Sequence, residues 1–521
     1  VGKTKGAVAA GHKITADTAK EILSEGGNAF DAIVAAHFTA CVTEPVLASL
    51  AGGGYMLGKE IGKPPHIYDF FVQTPSNKNI SSTPDFFPIH ADFGTTVQEF
   101  HIGLGSIAVP GSVRGMFKIH RDLCTLPMSR LIQPAINAAK KGVHFSHLQA
   151  KIFEIVSPIY SATPEARQTY TGSVRTNKLV GENDLLKQPK LAETLEDLSE
   201  QGERLFYEGE IANKIEQLCI EGGGYITAKD LNNYRVIVRE PSIISYRNTQ
   251  LFTNPPPASG GILIALALKL MEQNNFASCQ FGSSSHLDFL ARVMAETNQA
   301  RLDMLSSNQH GLADHLLDEK YVSHYKRQVA NRARCLRGTT HISVIDAKGN
   351  AAAMTVSNGE GCGYMVPGTG IMLNNMLGEE DINPQGFHCW PENQRMTSMM
   401  SPSLLQMDKG ADKNVLVALG SGGSNRIRTA MLQVISNLVD FGMTPEQAVS
   451  APRIHFENDL LNIEPGFLDR QLRQLNKGYK NQQHWGEQNL FFGGVHSVEY
   501  NGESFRTAGD SRRDGVGVIV Q

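Results

Sequence analysis

The chain has 521 residues, 41% of them hydrophobic and 19% charged, with a formal net charge of −4 and a pI near 6.5. This length buries a large core and sets a soft prior of two to four domains, although one large α/β unit is equally compatible. The mild acidity gives no footprint for nucleic acid or an anionic membrane surface, and no apolar run approaches the roughly 18 residues that cross a bilayer. The seven cysteines are odd in number, widely spaced and without a CxxC, which argues against a disulfide framework or a zinc site and predicts small core residues. Val1-Gly2-Lys3 shows neither a signal-peptide pattern nor an initiator Met, so a trimmed or processed chain is expected.

The first elements read as a strand followed by two helices. Thr15 is placed to cap a helix through Leu23 that Gly26-Gly27 stops. Asn28 caps the next, from Ala29 to about Val42, which is apolar nearly all round and so predicted to be buried. Gly52-Gly53-Gly54 reads as a turn leading into a strand at Tyr55-Met56-Leu57. From about 112 to 330 the pattern is mostly helical, interrupted by Pro255 to Gly261. At Thr339 the period changes. Thr340–Ile345 and Ala351–Val356 read as strands of a hairpin turning at Asp346 to Asn350. Val415–Leu419 is another strand, running into Gly420 to Ser424 and then a helix to about Asp440. Thr444-Pro445-Glu446-Gln447 is a capping box opening a further helix.

Several motifs carry no chemistry. Gly103-Leu104-Gly105-Ser106-Ile107-Ala108 fits a dinucleotide fingerprint, but Val109-Pro110-Gly111 follows where a helix is required. Gly359 to Gly363 lacks the Lys of a P-loop. The sharpest feature is Gly338-Thr339-Thr340-His341. A threonine in mid-chain is a poor nucleophile, whereas one at a chain terminus has its own α-amino group as base. A Thr-Thr pair opening a strand is also ordinary β-propensity. His341 shares a strand face with Thr339, and a structural histidine is the expected reading over a general base.

Thr339 to Asp346 with Gly349-Asn350-Ala351 resembles the segment that begins the small subunit of γ-glutamyltransferases. Gly26 to Ala32, Gly52 to Leu57, Val109 to Gly115, Pro255 to Gly261, Gly370 to Asn375, Ser401-Pro402-Ser403 and Ala451-Pro452-Arg453 resemble other blocks of that family in the same order. The resemblance covers essentially the whole chain. It implies an α/β (α+β) fold, the four-layer αββα sandwich of N-terminal-nucleophile hydrolases, and self-cleavage before Thr339. Residues 1–338 would form the large-subunit part and 339–521 the small-subunit part, paired permanently. It implies catalytic roles for Thr339, for Ser357 beside the catalytic amine, and for the amides of Gly423 and Ser424 as an oxyanion hole, with a register uncertain by one.

The departures concern substrate. The family clamps the donor carboxylate with an Arg after the strand that here reads Tyr68 to Pro75, and no Arg occurs between Tyr68 and Val109. Two adjacent serines become Ser398 and Met399. On the amino side the matching positions are Gly359, Met376 and Glu379, with Glu360 and Glu380 as substitutes. Glu380 to Ser398 is short for the lid loop of several family members, which predicts an open site. No metal or organic cofactor is expected, because the threonine amine supplies the base. Three functions compete: a γ-glutamyl transferase or hydrolase on glutathione-like amides, an acylase on another side-chain amide resembling cephalosporin acylases, and an uncleaved silent homologue acting as a binding protein. The implied partners are a small amide or peptide substrate and the second subunit; a family-like location would be periplasmic or secreted.

Overall fold

The computed structural model describes residues 4–78, 83–92, 97–172, 178–272, 276, 279–306, 317, 338–383, 385–408, 414–475 and 478–521. Two stacked sheets form its centre. The first is built from β1 (Gly6–Ala10), β2 (Gly53–Lys59), β3 (His66–Asp69), β4 (Ile237–Arg239), β7 (Thr340–Asp346), β8 (Ala351–Ser357) and β13 (Val516–Val520), in the order β13-β1-β7-β8-β2-β3-β4. The second is built from β5 (Ser242–Tyr246), β6 (Thr249–Thr253), β9 (Ser403–Asp408), β10 (Asn414–Gly422), β11 (Gly494–Tyr500) and β12 (Phe505–Ala508), in the order β12-β11-β10-β9-β6-β5. All these pairings are antiparallel.

Strand alternation separates two cores. Val8, Ala10, Ile342, Val344 and Met354 face an outer helical layer that includes α1 (Lys13–Ser24), α2 (Ala29–Thr43) and α3 (Met128–Lys141). Ala7, Ala9, Ile345 and Ala353 face the second sheet, whose core extends to α4 (Gly260–Met271) and α5 (Arg426–Val439). The result is the αββα sandwich that the resemblance implied. Every residue of α2 is buried, and Asn28 caps it in a full capping box with Asp31.

Four expectations are corrected. The cap of α1 is His12, whose Nδ1 accepts from the Ile14 amide at 3.1 Å; Thr15 is instead buried inside the helix, bonded to Thr43. Gly53 and Gly54 are already strand, not turn. The helical middle also supplies β4, β5 and β6, because a neighbouring sheet edge overrides the local pattern. Its stretches 307–316 and 318–330 lie outside the described residues. Finally, β10 runs on through Gly420 to Gly422, where the glycines serve close approach rather than a turn. The six described cysteines are free, and no described helix is long and apolar enough to cross a membrane.

Candidate active site

The hairpin register sets the site. Thr340 pairs with Val356, which puts Thr339 level with Ser357 at the end of the neighbouring strand. Ser357 Oγ donates to the Gly338 carbonyl at 2.6 Å and accepts from the Gly359 amide at 3.0 Å. The Gly338 N–H donates to Glu360 Oε1 at 2.8 Å. Both polar groups of the residue before Thr339 are therefore held. The Thr339 carbonyl accepts from Arg513 Nη1 at 3.4 Å, and burial pulls that guanidinium down to about 10.

Successive side chains leave β7 on opposite faces. Thr340 turns to the helical layer and donates to Glu44 Oε2 at 2.8 Å, where burial pushes the Glu44 carboxyl up to about 7. His341 lies between the sheets, its nitrogens meeting Thr355 Oγ1 at 2.7 Å and Ser343 Oγ at 2.9 Å. Full burial lowers its pKa far below the usual imidazole value. Both nitrogens are engaged within the core, as a structural histidine requires.

Thr339 opens onto a cleft whose polar rim is Ser357, Glu379, Asp381, Ser398 and Ser424. Its apolar wall is Phe71, Met376, Ile382, Met399, Met400 and Ile427. Among the described residues no Lys, Arg or His lines it. Where β10 ends, Gly423 has φ 123° and Ser424 φ 52°. Their amides donate to no acceptor among the described residues, and the first turn of α5 follows. Two such amides beside a nucleophile can receive an oxyanion. Ser424 Oγ also donates to Asp381 Oδ2 at 3.2 Å.

Of the sequence-derived residues, Thr339, Ser357, Glu379, Ser398 and Ser424 meet in this cleft, with Gly423 adjoining Ser424. Three others lie outside its lining. Gly359 has no room for a side chain: a Cβ there would sit 2.1 Å from Asn375 Oδ1 and 2.4 Å from Glu379 Oε1. Glu380 is exposed and outside the cleft; a one-turn helix over Glu380–Ile382 brings Asp381 there instead. Glu360 is turned to Gly338 rather than to the cleft.

Sequence reasoning missed Asp381, Phe71, Ile382, Met400 and Ile427. Only the acidic run Glu379-Glu380-Asp381 could have pointed to one of them. The short segment before Ser398 is a strap laid on the residues after β3. Arg395 in it bonds the Phe71 carbonyl, the Tyr234 hydroxyl and Asp69, so its guanidinium is spent beside the cleft. The Ala451-Pro452-Arg453 block is structural, with Arg453 paired to Asp510 at 2.7 Å.

A buried threonine heading a central strand of an αββα sandwich, with a hydroxyl and two backbone amides around it, defines the N-terminal-nucleophile hydrolase class. Within that class, the chain belongs to the gamma-glutamyltranspeptidase family, whose sequence model matches residues 15–520. The glutathione hydrolase proenzyme of Pseudomonas aeruginosa is 29% identical, over 99% of this chain and 95% of its own. The acylase ACY 1 proenzyme of Pseudomonas sp. (strain V22) is 28% identical, over 99% and 94%. Among solved structures, cephalosporin acylase from Bacillus halodurans shares the fold with a TM-score of 0.83 at 22% identity, covering 99% of this chain and 96% of that one. Gamma-glutamyltranspeptidase of Helicobacter pylori aligns with a TM-score of 0.52 at 26% identity, over 62% and 91%.

Proposed function

We propose that this chain is a proenzyme that cuts itself between Gly338 and Thr339 and then uses Thr339 to hydrolyse or transfer the acyl group of a small amide. The observation that carries this reading is the Ser357 hydroxyl on the Gly338 carbonyl at 2.6 Å, beside the residue that would attack it. In the first reaction Thr339 Oγ adds to the Gly338 carbonyl carbon, the Gly338–Thr339 C–N bond breaks, and the threonine nitrogen takes up a proton. Water then opens the ester, leaving a Gly338 carboxylate and a free Thr339. That threonine's α-amino group now serves as base, with Ser357 next to it. Attack on a substrate amide gives an acyl-enzyme and releases an amine; water or an acceptor amine resolves it. The Gly423 and Ser424 amides stabilise the oxyanions of the substrate reaction, whereas in self-cleavage the oxyanion develops at the Gly338 oxygen seated on the Ser357 hydroxyl. Residues 1–338 and 339–521 become the two paired subunits.

A γ-glutamyl amide such as glutathione is the donor suggested by the hydrolase relatives. A second reading, an acylase on a different side-chain amide, is favoured by the apolar wall of Phe71, Met376, Met399 and Met400 and is in line with the acylase relatives. Intact-mass measurement of fresh wild-type protein and Thr339→Ala tests the nucleophile. Two chains, the smaller beginning at Thr339 and absent in the variant, are expected. A single wild-type chain after long incubation would refute self-processing. Rates on γ-glutamyl, glutaryl and neutral acyl p-nitroanilides then decide the donor: a γ-glutamyl preference favours the first reading, and a neutral or glutaryl preference the second.

A further inference from the structure

Self-cleavage needs something that the mature reaction does not. Until the cut is made Thr339 has no free amine, so the precursor relies on the geometry of the scissile peptide itself. Productive attack requires the carbonyl carbon to be held close to Thr339 Oγ, and a misplacement of about 1 Å costs roughly 100-fold in rate. Ser357 fixes the carbonyl oxygen only, which leaves the peptide free to swing about that contact.

The second contact comes from Glu360. Its side chain is buried at 2% exposure, which is costly for a carboxyl. Oε1 takes the Gly338 N–H at 2.8 Å. Its own backbone amide is anchored on Asn375 Oδ1 at 2.9 Å, so the side chain springs from a fixed point. Gly338 is also closely confined: a Cβ on it would lie 2.7 Å from the Gly359 carbonyl oxygen and 3.2 Å from that of Val46. The residue before the cut is thus gripped at its N–H, at its C=O and on its flank.

We propose that Glu360 is a positioning residue for self-cleavage: its carboxylate holds the Gly338 amide so that the scissile carbonyl stays seated on Ser357 and faces Thr339 Oγ. Glu360 gains and loses no proton in this role, and the bonds made and broken are those of the self-cleavage above. The inference rests on Thr339 being the self-cleaving nucleophile.

The test follows conversion of freshly purified precursor by intact mass for wild type, E360Q, E360D and E360L. Thermal melting of each substitution in the uncleavable Thr339→Ala background reports on the fold. Gln keeps an oxygen acceptor at the same reach, and cleavage within about threefold of wild type is expected. Asp withdraws the acceptor and Leu removes it, and slowing of roughly 10-fold and 30- to 100-fold is expected, at unchanged melting temperature. Because E360Q is isosteric and E360D conserves charge, an E360L that fails to fold does not end the test. Cleavage of E360D and E360L at the wild-type rate would overturn the proposal while leaving self-processing intact, as would slowing that merely tracks lost melting temperature. If wild type itself never cleaves, both readings fall.

Discussion

Glu44 is the residue in which the site and the stability of the fold meet most directly. It caps the C-terminal end of α2, is buried and accepts from Thr340, the neighbour of Thr339. Burial raises its carboxyl from 4.5 to about 7. The folded protein therefore holds this proton more tightly than the unfolded chain does. Stability from this group is complete below about pH 4.5 and is lost as pH rises through 7, by roughly 3 kcal/mol. Glu44→Gln keeps an acceptor for Thr340 and cannot ionise. In the uncleavable Thr339→Ala background it is expected to match its parent in thermal stability near pH 4.5 and to exceed it at pH 8. A constant difference across that range would show that Glu44 does not titrate on unfolding.

Among the elements, β10 carries the most consequential detail. A Cβ on Gly422 would lie 2.2 Å from the Thr339 carbonyl oxygen, a backbone atom that cannot yield without moving Thr339, the proposed nucleophile. Gly422→Ala is expected to destabilise by about 1–3 kcal/mol through overpacking and to slow both self-cleavage and amide turnover by roughly 100-fold. Wild-type rates in that variant would mean that β10 does not set the position of Thr339. This same strand shows where sequence reading succeeds and fails. The β7–β8 hairpin and α2 were legible because period, turn and cap agree there. The Thr339–Ser357 pair was legible only through the family resemblance; the register of that hairpin is what sets the two side by side. The glycines of β10 look like a turn, since nothing local reveals that His341 and the Thr339 carbonyl need their space. His12 caps α1 outside the usual Ser, Thr, Asp and Asn set. The cleft wall was illegible because Phe71, Met400 and Ile427 come from three distant segments that only the stacking of the sheets brings together.

For the molecule as a whole, the position of the proposed cut within the sheet order decides what cleavage can release. It falls between β6 and β7 in sequence, so β1 to β6 go with one chain and β7 to β13 with the other. The strands are interleaved in space. In the first sheet, β13 pairs with β1, β1 with β7 and β8 with β2 across the cut; in the second, β9 pairs with β6. Four antiparallel ladders and the core between the sheets therefore join the two products. An interface of this kind is the interior of a fold and not a docking surface, and obligate interfaces of that character do not dissociate without unfolding. The processed protein is expected to elute at the size of the intact chain in 1 M salt and to melt in a single transition, separating into two chains only in denaturant. Partial dissociation in native buffer would contradict the interleaved order. In that case the precursor's sheets would have to rearrange after the cut.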